Sequence, residues 1–336
     1  MFLILDTVRK YPVKLCFLLF CILLLSGFEV WEHFSLLPAH EWNTINLKEI
    51  NVADPNNFSF AVFGDNRNSI SVFENLLKLI DHDPDISFAI NLGDMVYSGA
   101  KERYRCFLQQ VRDNLAIPLL TAMGNHELRG KGRILYHDIF GPFYYSFQIG
   151  KNYFIVLDDV NQEGLDVQQR QWLEKELKKS RKYDVRIVFM HMPFYDPRGG
   201  SHHHCLPKKS SDRLIEVFLK YRVTHIFASH IHGYFEGRLK GIPCTITGGA
   251  GAELVGDDPD HYFFHFLKVH IEKDSVDVQV KHVLSLDYEW MGRFGYMIWL
   301  YTYGFFRIHS IEIALLSVIG GLLLVIYRSE SREPNR

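Results

Sequence analysis

Phe58-Ser59-Phe60-Ala61-Val62-Phe63 runs straight into Gly64-Asp65-Asn66-Arg67, and the chain repeats this arrangement four more times. The apolar run 86–92 ends in Gly93-Asp94-Met95-Val96-Tyr97, and the run 117–123 ends in Gly124-Asn125-His126-Glu127. The run 185–190 ends in His191, and the run 223–228 leads to His230-Ile231-His232. Short β-rich runs closed by turn residues read as buried strands. In α/β sheets, ligands gather in the crevice beyond the carboxyl ends of such strands. The five segments therefore converge in space although they are spread from residue 64 to residue 232.

Two Asp, one Asn and three His, with Tyr97 three residues after Asp94, suit a pair of divalent or trivalent cations. The carboxylate of Asp94 can bridge two cations, and Asp65 can hold one alone. His191, His230 and His232 offer neutral imidazoles suited to Fe, Zn or Mn. Asn125 adds a neutral carbonyl oxygen, which leaves positions open for water and substrate. Two cations a few ångströms apart stabilise the attacking and leaving oxygens of an in-line phosphoryl displacement and acidify a bound water. His126, next to Asn125, is placed to protonate the leaving alkoxide as a general acid. Its competing reading is a structural histidine bonded to a carboxylate such as Glu127.

The order Asp65, Gly93-Asp94, Gly124-Asn125-His126-Glu127, His191 and His230-x-His232 resembles the calcineurin-like metallophosphoesterase superfamily. Within it, Gly93-Asp94-x-x-Tyr97, Val188-x-x-His191 and His230-x-His232 followed by Tyr234 look most like purple acid phosphatases and their bacterial relatives. The resemblance covers residues 58–270, and five motifs in order are far more specific than any one. It implies an α/β (α+β) fold, a four-layer β-sandwich flanked by helices. By the same resemblance Asp65, Asp94, Tyr97 and His232 hold the first metal, while Asp94, Asn125, His191 and His230 hold the second. Iron in the first site, with Zn, Mn or Fe beside it, follows from the tyrosine, because a phenolate prefers a ferric ion.

Two positions depart from the family pattern. Arg67 stands where many members have a histidine; Tyr97 either replaces that ligand or packs against the sheet. The guanidinium of Arg67 either clamps a phosphate oxygen or forms a salt bridge at the rim. Ser229 stands where the family usually has glycine before His-x-His. The loop Ser201-His202-His203-His204-Cys205 reads as polar sequence at the mouth of the pocket, with His204 touching substrate phosphate. Gly248-Gly249-Ala250-Gly251 reads as a tight turn beside the site.

The chain has 336 residues and a formal net charge of −2, so no basic surface advertises nucleic-acid binding. Its five cysteines give no disulfide framework. Residues 15–28 are almost unbroken apolar sequence behind Arg9, Lys10 and Lys14. They read as a signal anchor or transmembrane helix within 1–31, against a cleaved signal peptide or a buried core helix. A polar stalk occupies 32–57 and the metallophosphoesterase domain 58–286. An aromatic interfacial segment follows at 287–307, with Tyr296, Trp299, Tyr301 and Tyr303. A transmembrane helix is expected at 308–328, and a cytoplasmic tail at 329–336. Basic residues on the outer flanks of both apolar segments place both termini in the cytoplasm and the domain outside it.

Inside the domain the periodicity predicts a helix over Ser71–Asp81 with Val72, Leu76, Leu79 and Ile80 inward. A second helix is expected at 166–182 with Asp166 as N-cap, and hairpins at 144–158, turning at Gly150-Lys151, and at 261–283, turning near Lys273-Asp274. The expected protein is a membrane-anchored dinuclear phosphoesterase that cleaves a phosphomonoester or phosphodiester by metal-activated hydroxide. Its partners are a phosphoester, narrowed by the apolar ends to a lipid-linked one, and the bilayer itself. A pyrophosphatase acting on a lipid-linked or nucleotide-sugar substrate is the alternative within the same chemistry. A non-catalytic scaffold on the same fold is the alternative outside it, and its signature would be degenerate ligands.

Overall fold

The computed structural model of the protein describes residues 17–24, 27, 37–161, 164–199, 204–284, 298, 302, 305–306 and 308–331. The chain divides into two compact units, Leu37–Leu300 and a second made of Met1–Leu36 with Tyr301–Arg336. The larger unit opens with α1 (Trp42–Glu49), β1 (Asn57–Phe63), α2 (Ser71–Asp81), β2 (Ile86–Asn91), α3 (Lys101–Asn114) and β3 (Leu119–Thr121). It continues with α4 (Gly132–Phe140), β4 (Tyr145–Ile149), β5 (Asn152–Val156), α5 (Val167–Lys179) and β6 (Val185–Phe189). Then come α6 (Lys208–Lys220), β7 (His225–Ala228), β8 (Tyr234–Leu239), β9 (Ile242–Thr247), β10 (His265–Glu272) and β11 (Ser275–His282).

These strands form two sheets, ordered β11-β10-β1-β2-β3 and β4-β5-β6-β7-β9-β8. β1, β2 and β3 are parallel in the first, and β5, β6, β7 and β9 in the second. Parallel strands covered on both faces must be apolar throughout, and β5, β6 and β7 are buried at every residue. The sheets pack face to face through aromatic rings. Phe60 stacks on Phe88 at 5.0 Å between centroids and meets Phe154 and Phe189 edge-on at 5.8 and 6.1 Å. Such pairs add to the area they bury.

Helices close both outer faces. Phe63 of β1 packs on Phe73 of α2, which stacks on Phe107 of α3 at 5.6 Å. Leu173 and Leu177 of α5 join Leu214 and Phe218 of α6 over Val188 and Ile226. The result is the helix–sheet–sheet–helix sandwich that the resemblance implied.

Local expectations hold with small differences. α2 has the expected bounds, but Phe73 and Leu77 are buried while Leu79 is 41% exposed. The helix expected at 166–182 ends at Lys179 and closes with a 3-10 turn, Ser180–Lys182. Both hairpins form, with Gly150 (φ 56°) and Lys273 (φ 58°) in the left-handed region at their turns.

Part of the expected stalk is built structure. The backbone N–H of Thr121 donates to Asn43 Oδ1 at 2.9 Å, and that of Leu119 to Asn46 Oδ1 at 3.1 Å. Trp42 Nε1 donates to the Leu119 carbonyl at 2.8 Å. β3 is an edge strand, and α1 supplies the partners that its exposed backbone lacks.

In the smaller unit, residues 17–24 are helical and α7 spans Ser310–Ser331. Among the described residues no helix is long and apolar enough to cross a membrane. The membrane segment expected at 1–31 lies mostly, and the segment at 287–307 almost wholly, outside the described residues, whereas 308–328 lies within them, along α7.

Candidate metal centre

The five segments read from the sequence do converge, and they come from both sheets. Asp65 follows β1, Asp94 follows β2 and Asn125 follows β3, while His191 follows β6 and His230 and His232 follow β7. Two groups of side chains bring ligand atoms within 4.8 Å of one another: Asp94, His191 and His230, and Asp65, Asp94 and His232. Asp94 belongs to both. Asp65, Asp94 and His230 have φ of 61°, 52° and 70°. Non-glycine residues in that region cost energy that the surrounding structure must supply, and they cluster at functional sites.

Hydrogen bonds aim two of the candidate ligands. The Nδ1–H of His191 donates to the Leu92 carbonyl at 2.9 Å, which leaves Nε2 facing Asn125 Oδ1 at 3.0 Å and His230 Nδ1 at 3.2 Å. The Nδ1–H of His232 donates to the Glu253 carbonyl at 2.5 Å. That fixes the Nε2 lone pair toward Asp65 Oδ1, 3.5 Å away. Asp65 Oδ1 and His232 Nε2 are both buried without a hydrogen-bond partner. Two orphaned ligand atoms facing each other across that gap are what a cation would satisfy. The donor set of carboxylates, imidazoles and an amide oxygen therefore fits a pair of metal ions.

Behind these side chains lies a layer of buried carboxylates whose roles the local sequence does not announce. Glu127 is fully buried and accepts from the backbone N–H groups of Gly124 (2.6 Å), Asp94 (2.9 Å) and Val96 (3.1 Å). It ties two ligand loops together and does not bond His126. Burial, with the charge of Asp94, pushes its carboxyl up to about 7. Asp159 accepts from the N–H groups of His191 (2.9 Å) and Met192 (2.8 Å), and burial pushes it to about 7 as well. The signal for Asp159 was present, because Asp158-Asp159 ends an apolar run as the other ligand segments do.

Burial alone would raise Asp65, yet its contact with His232, together with His191 and Arg67, holds it well below the usual carboxylate range. Burial and His191 push His230 down to about 3, so it is neutral and ready to ligate. Its backbone N–H donates to Asp65 Oδ2 at 2.7 Å, and the Ser229 hydroxyl lies 2.5 Å from the same oxygen. Ser229 Oγ also lies 2.8 Å from the Thr247 carbonyl. The substitution of glycine by serine thus adds a hydrogen-bonding group behind Asp65. Gly248 sits tightly beside the site: a Cβ there would lie 2.9 Å from Asp65 Oδ2 and 2.3 Å from the Ile231 carbonyl.

Arg67 is not at an exposed rim. Its Nε and Nη2 donate to Asp94 Oδ2 at 3.2 and 3.1 Å, its Nη1 donates to Glu253 at 3.2 Å, and its side chain is 11% exposed. The Nδ1–H of His126 donates to the Tyr97 carbonyl at 2.8 Å. Its Nε2 lies 3.2 Å from Arg129 Nη2 and 3.8 Å from Asp94 Oδ2. Burial lowers its pKa, Asp94 opposes that shift, and Arg67 and Arg129 reinforce it. The Tyr97 ring lies edge-on to His126 at 5.6 Å, each of Arg103 and Arg129 is 5.4 Å from its centroid, and it is 37% exposed. His204 is exposed, its ring 5.5 Å from that of His230. His202 and His203 lie outside the described residues.

Comparison with known proteins agrees with this geometry. A sequence profile of the family described as calcineurin-like phosphoesterase matches residues 58–234. The chain is 32% identical over 120 residues to the Fe(3+)-Zn(2+) purple acid phosphatase 12 of Arabidopsis thaliana, a match covering 35% of this chain and 25% of that protein. It thus spans about a quarter of the length of that curated relative. Among solved structures it resembles a purple acid phosphatase from yellow lupin (Lupinus luteus), at 19% identity and a TM-score of 0.58, covering 68% of this chain and 52% of the lupin chain. A dimetal phosphatase from Danio rerio, at 17% identity and a TM-score of 0.53, is covered over 98% of its length by 69% of this chain. At those identities the two structures bear on the fold alone. The profile spans more than half of the chain and contains all of the ligand segments, and the protein belongs to the calcineurin-like phosphoesterase family.

Proposed function

We propose that the protein is a dinuclear metal-dependent phosphoesterase that hydrolyses a phosphomonoester or phosphodiester. The observation that carries this reading is the pair of ligand triads sharing Asp94, with Asp65 Oδ1 and His232 Nε2 of one triad buried and unsatisfied. Asp65, Asp94 and His232 would hold one ion, and Asp94, Asn125, His191 and His230 the other. Bound cations supply positive charge to the phosphate oxygens and acidify water. Iron with zinc is the pair named for the Arabidopsis relative, and it suits these donors.

The protein's own groups do the rest. Glu127 and Asp159 hold the ligand loops in register through backbone N–H groups. Arg67, kept within the centre by Asp94 and Glu253, meets a phosphate oxygen. His126 collects a proton at Nε2, where its lone pair is directed, and delivers it to the departing oxygen. His204, beside His230, contacts the phosphate from the loop. Tyr97, whose ring lies beside His126, would complete the first site as a further oxygen ligand.

We further infer that the apolar ends hold this domain at a membrane, with the catalytic unit on the extracytoplasmic side and a lipid-linked phosphoester as the narrower substrate. Exposed apolar side chains support this. Phe17, Leu19, Phe20 and Leu23 are 49–68% exposed on one helix, and Leu316, Leu323 and Leu324 are 51–59% exposed on α7. A helix apolar all round is covered by something other than water.

Asp94→Asn tests the core of the proposal. The variant should lose at least 100-fold in phosphate release from p-nitrophenyl phosphate and retain less than one metal ion per chain after dialysis. Wild-type turnover by the variant would remove the shared-ligand reading. In the same preparations, a visible tyrosinate-to-iron band that survives Tyr97→Phe would remove Tyr97 from the ligand set.

A further inference from the structure

Beside the metal centre a cavity of about 990 Å³ opens at Asn125 and His230. That is large for a group the size of phosphate and lies at the upper end of the range that small-molecule ligands fill. The apolar part of its wall includes Val160, Phe194, Leu206, Ile215 and Leu239. Phe194, Leu206 and Ile215 are buried members of the core between the second sheet and its helices. This part of the wall is therefore preformed rather than assembled around a ligand.

The carboxylates of the wall are paired. Asp196 accepts from Arg198 Nε at 2.8 Å and Nη2 at 2.5 Å, and Asp212 pairs with Lys208 at 3.2 Å. The cavity is thus electrically balanced away from the metal ligands. A ligand whose remainder carried further charge would meet wall carboxylates that already have partners, Asp196 with Arg198 and Asp212 with the exposed Lys208, whereas an uncharged apolar group would exchange water for the core-like wall.

Resting on the phosphoesterase reading, we propose that this cavity is the subsite for the organic group of the substrate, and that the group is an extended, uncharged apolar chain. The phosphate sits at Asn125 and His230, and the chain runs along Met192, Phe194 and Ile215 toward Leu239. The preferred substrate is accordingly an amphiphilic phosphoester rather than a compact or polyanionic one.

A ladder of n-alkyl phosphonates from methyl to octyl tests this by calorimetry on the full, metal-loaded chain. The phosphonate keeps the head group constant and cannot be hydrolysed. Affinity should rise about fourfold for each methylene buried, and at least 100-fold from methyl to octyl, with increasingly negative heat capacity of binding. Leu239→Glu should shrink the methyl-to-octyl ratio to less than tenfold. Leu128→Gln, at a half-buried position of the same wall, provides the second variant should Leu239→Glu misfold. A flat ladder overturns the proposal. So does a ladder that persists unchanged in a folded variant, because it places the chain elsewhere on the protein. Phosphate release from octyl phosphate is read separately: an intact ladder without release counts against the hydrolytic reading and leaves the subsite standing.

Discussion

Single residues decide how this centre is held, and Gly64 with Ser229 shows it best. A Cβ at Gly64 would lie 2.2 Å from Ser229 Oγ and 2.9 Å from Ser229 Cβ. The serine that replaces the usual glycine is therefore tolerated because residue 64 has no side chain. Gly64→Ala should destabilise the protein by roughly 1–3 kcal/mol, the usual range for overpacking, with a matching fall in metal content. Adding Ser229→Gly opens the space again, so the double variant should melt closer to wild type than Gly64→Ala alone. Additive losses, seen in thermal melts, would contradict this coupling. The same scale shows what could be read in advance. Asp65, Asp94, Asn125 and the three histidines were legible because each ends an apolar run. The role of Glu127 was not, because clamping the amides of Gly124, Asp94 and Val96 depends on two loops that only the fold brings together. Nothing near Glu253 in the chain announces that its carbonyl orients His232 while its carboxylate holds Arg67.

At the scale of elements, β9 is pinned to its surroundings by two buried imidazoles. His225 of β7 bonds the Thr245 hydroxyl at 2.9 Å, and His265 of β10 bonds that of Thr247 at 3.0 Å. Burial pushes each down to about 4, with Arg238 adding to the shift at His225 and His282 at His265. The unfolded chain protonates these groups near pH 6.5. Their contribution to stability is thus complete above about pH 6.5 and lost as pH falls toward 4, by at most roughly 3 kcal/mol each. The carboxyls of Glu127 and Asp159, raised to about 7, act in the opposite direction over the same window. The informative quantity is the difference between variant and wild type. His225→Gln and His265→Gln should each flatten the decline in denaturation midpoint between pH 6.5 and 4. Parallel curves for wild type and variant would show that the imidazoles do not titrate in the folded state as described. Elements were also where periodicity worked best: α2 and both hairpins stand where the pattern placed them. It worked least at α1, whose Asn43 and Asn46 look polar in sequence yet serve the edge of β3.

For the whole molecule, the two units have different surfaces. The larger one buries its apolar residues between and around two sheets, whereas helical segments of the smaller one leave leucines and phenylalanines exposed. If a membrane covers them, the full chain should stay in the membrane pellet through an alkaline carbonate wash. An impermeant label should then reach Lys175 or Lys240, exposed on the larger unit, in intact cells. Recovery of the chain in the supernatant would overturn anchoring, and labelling only after lysis would reverse the orientation.

Local pattern alone was enough to read the family and the Asp, Asn and His side chains gathered at the strand ends, because strand period and turn residues are local properties. How those side chains are aimed depends on packing. The amide clamps of Glu127 and Asp159, the Arg67 bridge from Asp94 to Glu253, and the cavity between the second sheet and α6 all join residues far apart in the chain. Their geometry exists only once the two sheets have packed, and no local pattern encodes it.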